Sequence, residues 1–459
     1  MNKLLSFFTR STRPELSRGL KQQLAWLTVP IFIETLLIMT IGAVDTFMLS
    51  QHSDLSVAAV GVVNQIVMLC FLIFEVINIG TSVLVSQYIG AGKPDRMVKI
   101  VGVSLVVNLL VGAIVSAMLY FCASGLLHMM GLTGSLLAEG MTYMRIVGAF
   151  AFFQALSMTI SATLRACNKA VYPMLVVAVV NVVNIIGNYA LIFGNFGAPA
   201  LGVKGAAIAT SISRGVALLL LAVIMQRTTI RSIPLSLFRK FPGRELRNLF
   251  KIGLPSAGEQ ASYSAAQIML TFFINMMGVE ALAARTYVVN ITMFGYLFCI
   301  AIAQGGAITV GHLVGSGKSR AAFVLGKFVL KRALVVTVSL SVVIACCGHW
   351  IFTALTSNPQ IIAMGSILLL IDIAVEFGRP VNIFATNALR AAGDVNYPFY
   401  VGLVVMWSVQ VVGGYIAGIV FGLGIYALWA MIAVDENIRG VIFVRRWWSL
   451  RWMGKSFVH

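Results

Sequence analysis

Charge is what this chain lacks most. Of its 459 residues only 10% are charged, against 59% hydrophobic, where soluble domains carry roughly 25% charged residues. The shortage excludes an ordinary water-soluble fold. It points to a chain built mostly of bilayer-spanning segments, each of which needs about 20 apolar residues. The five histidines (His52, His128, His312, His349, His459) form no His-Glu-x-x-His or similar pair, so nothing supports a membrane metalloprotease. The six cysteines (Cys70, Cys122, Cys167, Cys299, Cys346, Cys347) show no metal-like spacing, and five of them fall in predicted spans, which argues against a disulfide framework. The apolar runs also lack the two-residue alternation of barrel strands.

What is there reads as helix. Twelve apolar runs are predicted to span: 24–50, 56–88, 101–127, 139–163, 172–195, 203–226, 253–277, 280–312, 326–353, 358–386, 398–421 and 424–444. The fold class expected is an all-α integral membrane protein. The basic start, "MNKLLSFFTRSTRPELSRGLK", precedes a long apolar span without a small-residue cleavage site, which reads as an uncleaved first helix.

The net charge of +18 is distributed, not clustered. Basic residues recur in residues 3–21, 93–99, 165–169, 227–251, 318–332 and 445–455, all on one side if the helices alternate. The opposite loops (51–55, 128–138, 196–202, 278–279, 354–357, 422–423) carry no Lys or Arg, with Lys204 at the edge of one. This asymmetry follows the positive-inside rule and places both termini in the cytoplasm. The excess charge sets orientation and is no sign of a nucleic-acid partner.

The chain repeats at an offset of 225 residues. "LTVPIFIE" (27–34) matches "IGLPSAGE" (252–259) at the Pro and the Glu. "GTSVLVSQYIGAGK" (80–93) matches "GGAITVGHLVGSGK" (305–318), and "LRACNKAVYP" (164–173) matches "LRAAGDVNYP" (389–398). Three windows in one register, without a gap, mean a duplication. Six spans per half start each half on the same side, giving a parallel repeat about an axis along the membrane normal. The expected organisation is a basic N-terminus (1–23), an N-lobe (24–226), a basic linker (227–251), a C-lobe (252–446) and a tail (447–459). Within the linker, "FRKFPGRELRNLF" reads as a short basic amphipathic helix on the inner surface. "GSGKS" (315–319) looks like a phosphate loop, but His312 stands where that motif needs Gly, and a membrane helix precedes it.

Six carboxylates fall well inside predicted spans: Glu34, Asp45, Glu75, Glu259, Asp372 and Glu376. Each costs about 2.5–3.5 kcal/mol at a helix centre, and protonation or pairing relieves that cost. Asp45 follows Leu24 by ~32 Å at 1.5 Å per residue, in the outer half of the membrane. Asn181, Asn184 and Asn188 share one face of the fifth span. Such a stripe is either interhelical glue or a cavity wall, and with a carboxylate opposite it reads as a site joined by Tyr143 and Gln154 of the fourth span. Glu34 and Glu259 are repeat partners one turn after a Pro, with a structural role at the kink and a functional role both open. Asp372, Glu376 and Arg379 have helical spacing and read as an internal ion-pair cluster with Arg285 as a further candidate, or as a second cation or substrate site.

At this point "VDTFMLS", "VSQYIGAGK", the two "LR…YP" segments and "NIIGNYALIFG" resemble the multidrug and toxic compound extrusion (MATE) transporters over nearly the whole chain. The resemblance implies two six-helix bundles about a cleft, and export of organic cations and other amphiphiles in exchange for H⁺ or Na⁺. It implies that Asp45 couples the ion, with Asn184, Asn188 and Tyr143 lining the same cavity. In the family's sodium-coupled branch a tenth-helix Asp stands where this chain has Arg379, and the seventh-helix Glu lies nearer Tyr263 than Glu259. The expectation is therefore an H⁺-coupled antiporter of a bacterial inner membrane, with Na⁺ near Asp45 as the alternative ion. No cofactor, enzymatic activity or metal centre is expected, and the partners are the lipid bilayer and small amphiphilic or cationic substrates acting on a monomer. The rival is a flippase for lipid-linked saccharides of the same superfamily, which needs a cationic cavity that Arg145, Arg214 and Arg285 could furnish.

Overall fold

The computed structural model describes residues 17–231 and 242–458, which are helical almost throughout, with no strand among them. The helices are α1 (Arg18–Ser50), α2 (Asp54–Gly90), α3 (Pro94–Phe121), α4 (Ala123–Met129), α5 (Gly134–Ala149), α6 (Ala151–Ala166), α7 (Val171–Phe193), α8 (Val203–Thr228), α9 (Gly243–Asn275), α10 (Val279–Gly315), α11 (Ser319–Cys346), α12 (Gly348–Leu355), α13 (Pro359–Ala391), α14 (Asn396–Val405) and α15 (Gly424–Trp448). Helix α14 runs on through two π-helical stretches, Met406–Gly413 and Ile416–Val420.

Among the described residues nine helices are long and apolar enough to cross a membrane, or ten if the bent pair α5–α6 counts as one span. Helices α9 and α15 occupy the positions of two further expected spans but fall below that measure; α15 carries three charged residues mid-helix, Asp435, Glu436 and Arg439.

Three expected runs are each divided. The run 101–127 breaks at Cys122 and the run 326–353 at Cys347, the same place in the two repeats. The run 139–163 bends by 47° at Phe150, with no proline there. At this bend Gly148 packs against α3, where an added Cβ would lie 2.6 Å from that of Leu119.

The chain forms two compact units. The N unit comprises Val29–Ile89 and Lys93–Ala257. The C unit comprises the chain up to Thr28, Gly90–Gly92 and the chain from Gly258 on. Two of their borders fall inside α1 and α9, beside Pro30 and Pro255, and the others at the turn between α2 and α3. Residues 243–250 of the expected amphipathic linker helix are instead the first turns of α9, while 238–241 lie outside the described residues. The basic N-terminal stretch lies outside them as far as residue 16.

Each unit has its own core. In the N unit α3 packs on α5 and α6, and α8 on α5, α6 and α7. A sealed polar knot ties α2, α3 and α6: Asn108 Nδ2 donates to Asn78 Oδ1 (3.1 Å) and to Thr159 Oγ1 (2.6 Å). The repeat partners of these three residues in the C unit are Ala303, Ala333 and Phe384, all buried, so an apolar core replaces the knot. There α13 is the central element, against α10, α11 and α15. The expected tail folds back on this unit. Trp452 stacks on Trp447 (4.3 Å, 9°) and Lys455 Nζ meets Asp394 at 2.6 Å.

The repeat is visible in the turns. Gly92 and Gly317 both take positive φ, +65° and +73°, which an L side chain rarely adopts.

Candidate functional site

Asp45 lies near the end of α1, on a helix with no basic residue after Lys21. Its help comes from α7. Asn188 Nδ2 donates to Asp45 Oδ1 at 2.6 Å and to Asn184 Oδ1 at 3.0 Å. Asn184 thus reaches the carboxylate through Asn188. Asn181, one face-turn back, donates to the Leu37 carbonyl at 2.8 Å and staples α7 to the backbone of α1. The three amides are buried because they share the face that α7 turns toward α1. Tyr143, also buried, lies against Thr210 of α8 and close enough to Asp45 to feel its charge. Gln154 is half-buried on α6 and makes no hydrogen bond to this group.

The acidic, amide-lined surroundings expected for Asp45 need one correction. Arg214 of α8 acts electrostatically on both Asp45 and Tyr143. Its guanidinium stands 5.4 Å from the centre of the Phe71 ring, and its Nη1 is sealed from solvent without a hydrogen-bond partner. The group is bipolar.

The kink glutamates do not satisfy their own helix backbones. Glu34 pairs with Arg165 at 2.7 Å, and Glu259 pairs with Arg390. These are one pair made twice, since both Glu and both Arg are separated by the repeat offset. Each clamps the helix that carries the kink proline to the end of the fourth-span helix of its half, α6 or α13.

In the C unit four carboxylates meet two guanidinium groups. Arg379 contacts Glu376, lies 3.9 Å from Asp372 and feels Glu436. Arg439 binds Asp435, with Nε to Oδ1 at 3.1 Å, and Glu436 at 3.2 Å. Asn382 Nδ2 donates to Glu436 at 2.7 Å, and Trp429 Nε1 to Asp372 at 3.4 Å. One oxygen each of Asp372 and Glu376 is sealed without a partner. The cluster links α13 to α15. Arg285, expected with it, instead donates to Gln267 at 3.4 Å.

A family model described as MatE matches the chain twice, over residues 30–190 and 255–416, one copy per half. The chain belongs to the MATE family of membrane transporters. It is 40% identical over 94% of both chains to the uncharacterized transporter YisQ of Bacillus subtilis. It is 25% identical to the probable multidrug resistance protein NorM of Thermotoga maritima, covering 88% of this chain and 87% of that one. A solved mutant of the Vibrio cholerae MATE transporter VcmN has the same fold, with a TM-score of 0.87, 21% identity, and coverage of 94% of this chain and 97% of that one.

Within this MATE chain, two charged groups were poorly legible from sequence. Asp435 and Glu436 stand in the second half of the last expected span, 424–444, and they are buried at 0% and 6% exposure. Arg214 and Arg439 are repeat partners inside a common "RGV" (214–216 and 439–441), the signal that could have found them. One turn before Arg439 stand Asp435 and Glu436; the equivalent residues before Arg214 are Thr210 and Ser211, which carry no charge. The duplication gave both units an arginine at this position, buried in the C unit and half-buried in the N unit, and gave only one of them on-helix acids.

Proposed function

We propose that this chain is a secondary antiporter that exports amphiphilic or cationic drugs from a bacterial cell in exchange for H⁺, Asp45 being the coupling group. Twelve spans in two six-helix bundles sit in the inner membrane with both termini cytoplasmic, and the bundles rock to expose the substrate path alternately to the two sides. The observation that carries the reading is the hydrogen bond from Asn188 to Asp45. A carboxylate at that depth, held by amides from another helix, can exchange partners on protonation without leaving a buried charge. The names of the multidrug resistance relatives support the export of drugs.

The cycle follows from the chemistry. Ionised Asp45 accepts from Asn188 and favours a cationic substrate. A proton from outside makes Asp45 a donor on one oxygen, weakens the Asn188 bond and removes the charge that held the substrate. A ligand shifts such an equilibrium only by its differential affinity for the two states. The C-unit carboxylate–arginine cluster acts as an internal ion-pair network holding α13 to α15.

The test is transport in proteoliposomes. An outward-directed drug flux driven by an imposed pH gradient, unchanged by Na⁺, supports H⁺ exchange; a flux that follows the Na⁺ gradient alone replaces the ion. Movement of a lipid-linked saccharide, with no drug flux under either gradient, would favour the flippase reading instead.

A further inference from the structure

Among the described residues no carboxylate is bonded to Arg214: Asp45, within its electrostatic reach, is bonded to Asn188 instead. Arg439, the repeat partner of Arg214, is bound by Asp435 and Glu436 on its own helix. In the N unit the corresponding positions are Thr210 and Ser211, and Ser211 donates to the Ala207 carbonyl of its own helix. Asp45 accepts from Asn188, a neutral donor. Arg214 Nη1 is buried with no partner, as are Asn188 Oδ1 and Ser213 Oγ in the same unit. A buried charged donor without a partner costs more than an ordinary missing hydrogen bond, and a bound anion is one arrangement that satisfies it. The guanidinium carbon lies 5.4 Å from the centre of the Phe71 ring, a cation–π contact that uses none of its N–H groups. A planar fork presented in this way suits a carboxylate or phosphate oxygen.

We propose that Arg214 is an anion subsite beside Asp45, so that the N unit selects amphiphiles bearing an anionic group as well as a cationic one. The cationic part meets Asp45, and the carboxylate or similar anion meets Arg214, with Tyr143 and Thr210 supplying neutral hydroxyls around it. The inference rests on the reading of the Asp45 group as the substrate and ion site, but it concerns which substrates that site prefers and not how transport is driven.

The test is equilibrium binding to the purified full chain of two probes that differ in one group: a rhodamine dye with a free carboxylate, and its methyl ester. Wild type is expected to favour the free acid. Arg214→Gln should lose about tenfold or more of its affinity for the acid while the ester changes less than about twofold. Arg214→Lys, which keeps the charge but not the fork, should fall between. The ratio of the two affinities is taken within one preparation, so partial misfolding of a variant does not disturb it. A ratio unchanged by Arg214→Gln, or a wild type that prefers the ester or binds neither dye, overturns the proposal. A ratio that collapses as expected in a protein showing no gradient-driven flux would instead leave the subsite standing and remove the export reading.

Discussion

Asp45 and Asn188 concentrate the chemistry of the N unit in one hydrogen bond of 2.6 Å. Replacing Asp45 with Asn keeps the shape and removes the titration, so drug flux driven by a pH gradient should drop to that of empty liposomes while the protein still purifies in folded form. Asn188→Ala removes a donor to a charged acceptor, an interaction of about 1.5–3 kcal/mol, and should weaken substrate-dependent exchange about tenfold or more. Measured rates of dye exchange in proteoliposomes check both. At this scale the sequence was informative where polarity is costly: an acid and three spaced amides in apolar runs could only mean a site or glue. It was silent on which amide touches the acid, because spacing along a helix gives a shared face and not a partner. From sequence Arg214 is a candidate only for the wall of a cationic cavity, and its place beside this group was not legible. Its charge is common on a basic chain, and only its position against Phe71 and beside Asp45 distinguishes it.

At the scale of helices, the duplicated pairs Glu34–Arg165 and Glu259–Arg390 lock the segment after each kink proline to its own unit. Glu34→Gln or Glu259→Gln should each destabilise the protein by about 1–3 kcal/mol, read as a lowered midpoint of thermal unfolding in detergent. The charge-swapped double variant Glu34→Arg with Arg165→Glu should recover most of that loss, a result that a purely local effect of Glu34 does not predict. In the C unit, Arg439→Met strands the buried Asp435 and Glu436 and should cost about 3–5 kcal/mol, whereas adding Asp435→Asn and Glu436→Gln to it should restore much of the stability. Helices were largely visible as apolar runs. Their breaks at Cys122, Phe150 and Cys347 were not, since each lies within a continuous apolar stretch and is set by packing against neighbours and not by a proline or a polar cluster.

Over the whole molecule, the repeat was the most readable feature, because three windows share one register and both halves match the same family model. The borders of the two compact units were less so. Two of them fall inside α1 and α9, where the sequence shows unbroken helix-forming runs interrupted only by Pro30 and Pro255. The duplication kept the kink pairs and the arginine of the "RGV" segment. It let the rest diverge, with amides and Asp45 in one unit and four carboxylates in the other. The orientation drawn from the basic loops predicts that, on a background freed of the six native cysteines, a cysteine at Ser135 is labelled by an impermeant maleimide in intact cells and one at Ser316 is not.

Exchange through a single titrating acid implies that substrate and proton compete for it. In weakly buffered solution, the purified protein should release about one proton for each cationic substrate bound when Asp45 starts protonated, and the Asp45→Asn variant should release none. Proton release of equal size from the variant would contradict the assignment of coupling to Asp45.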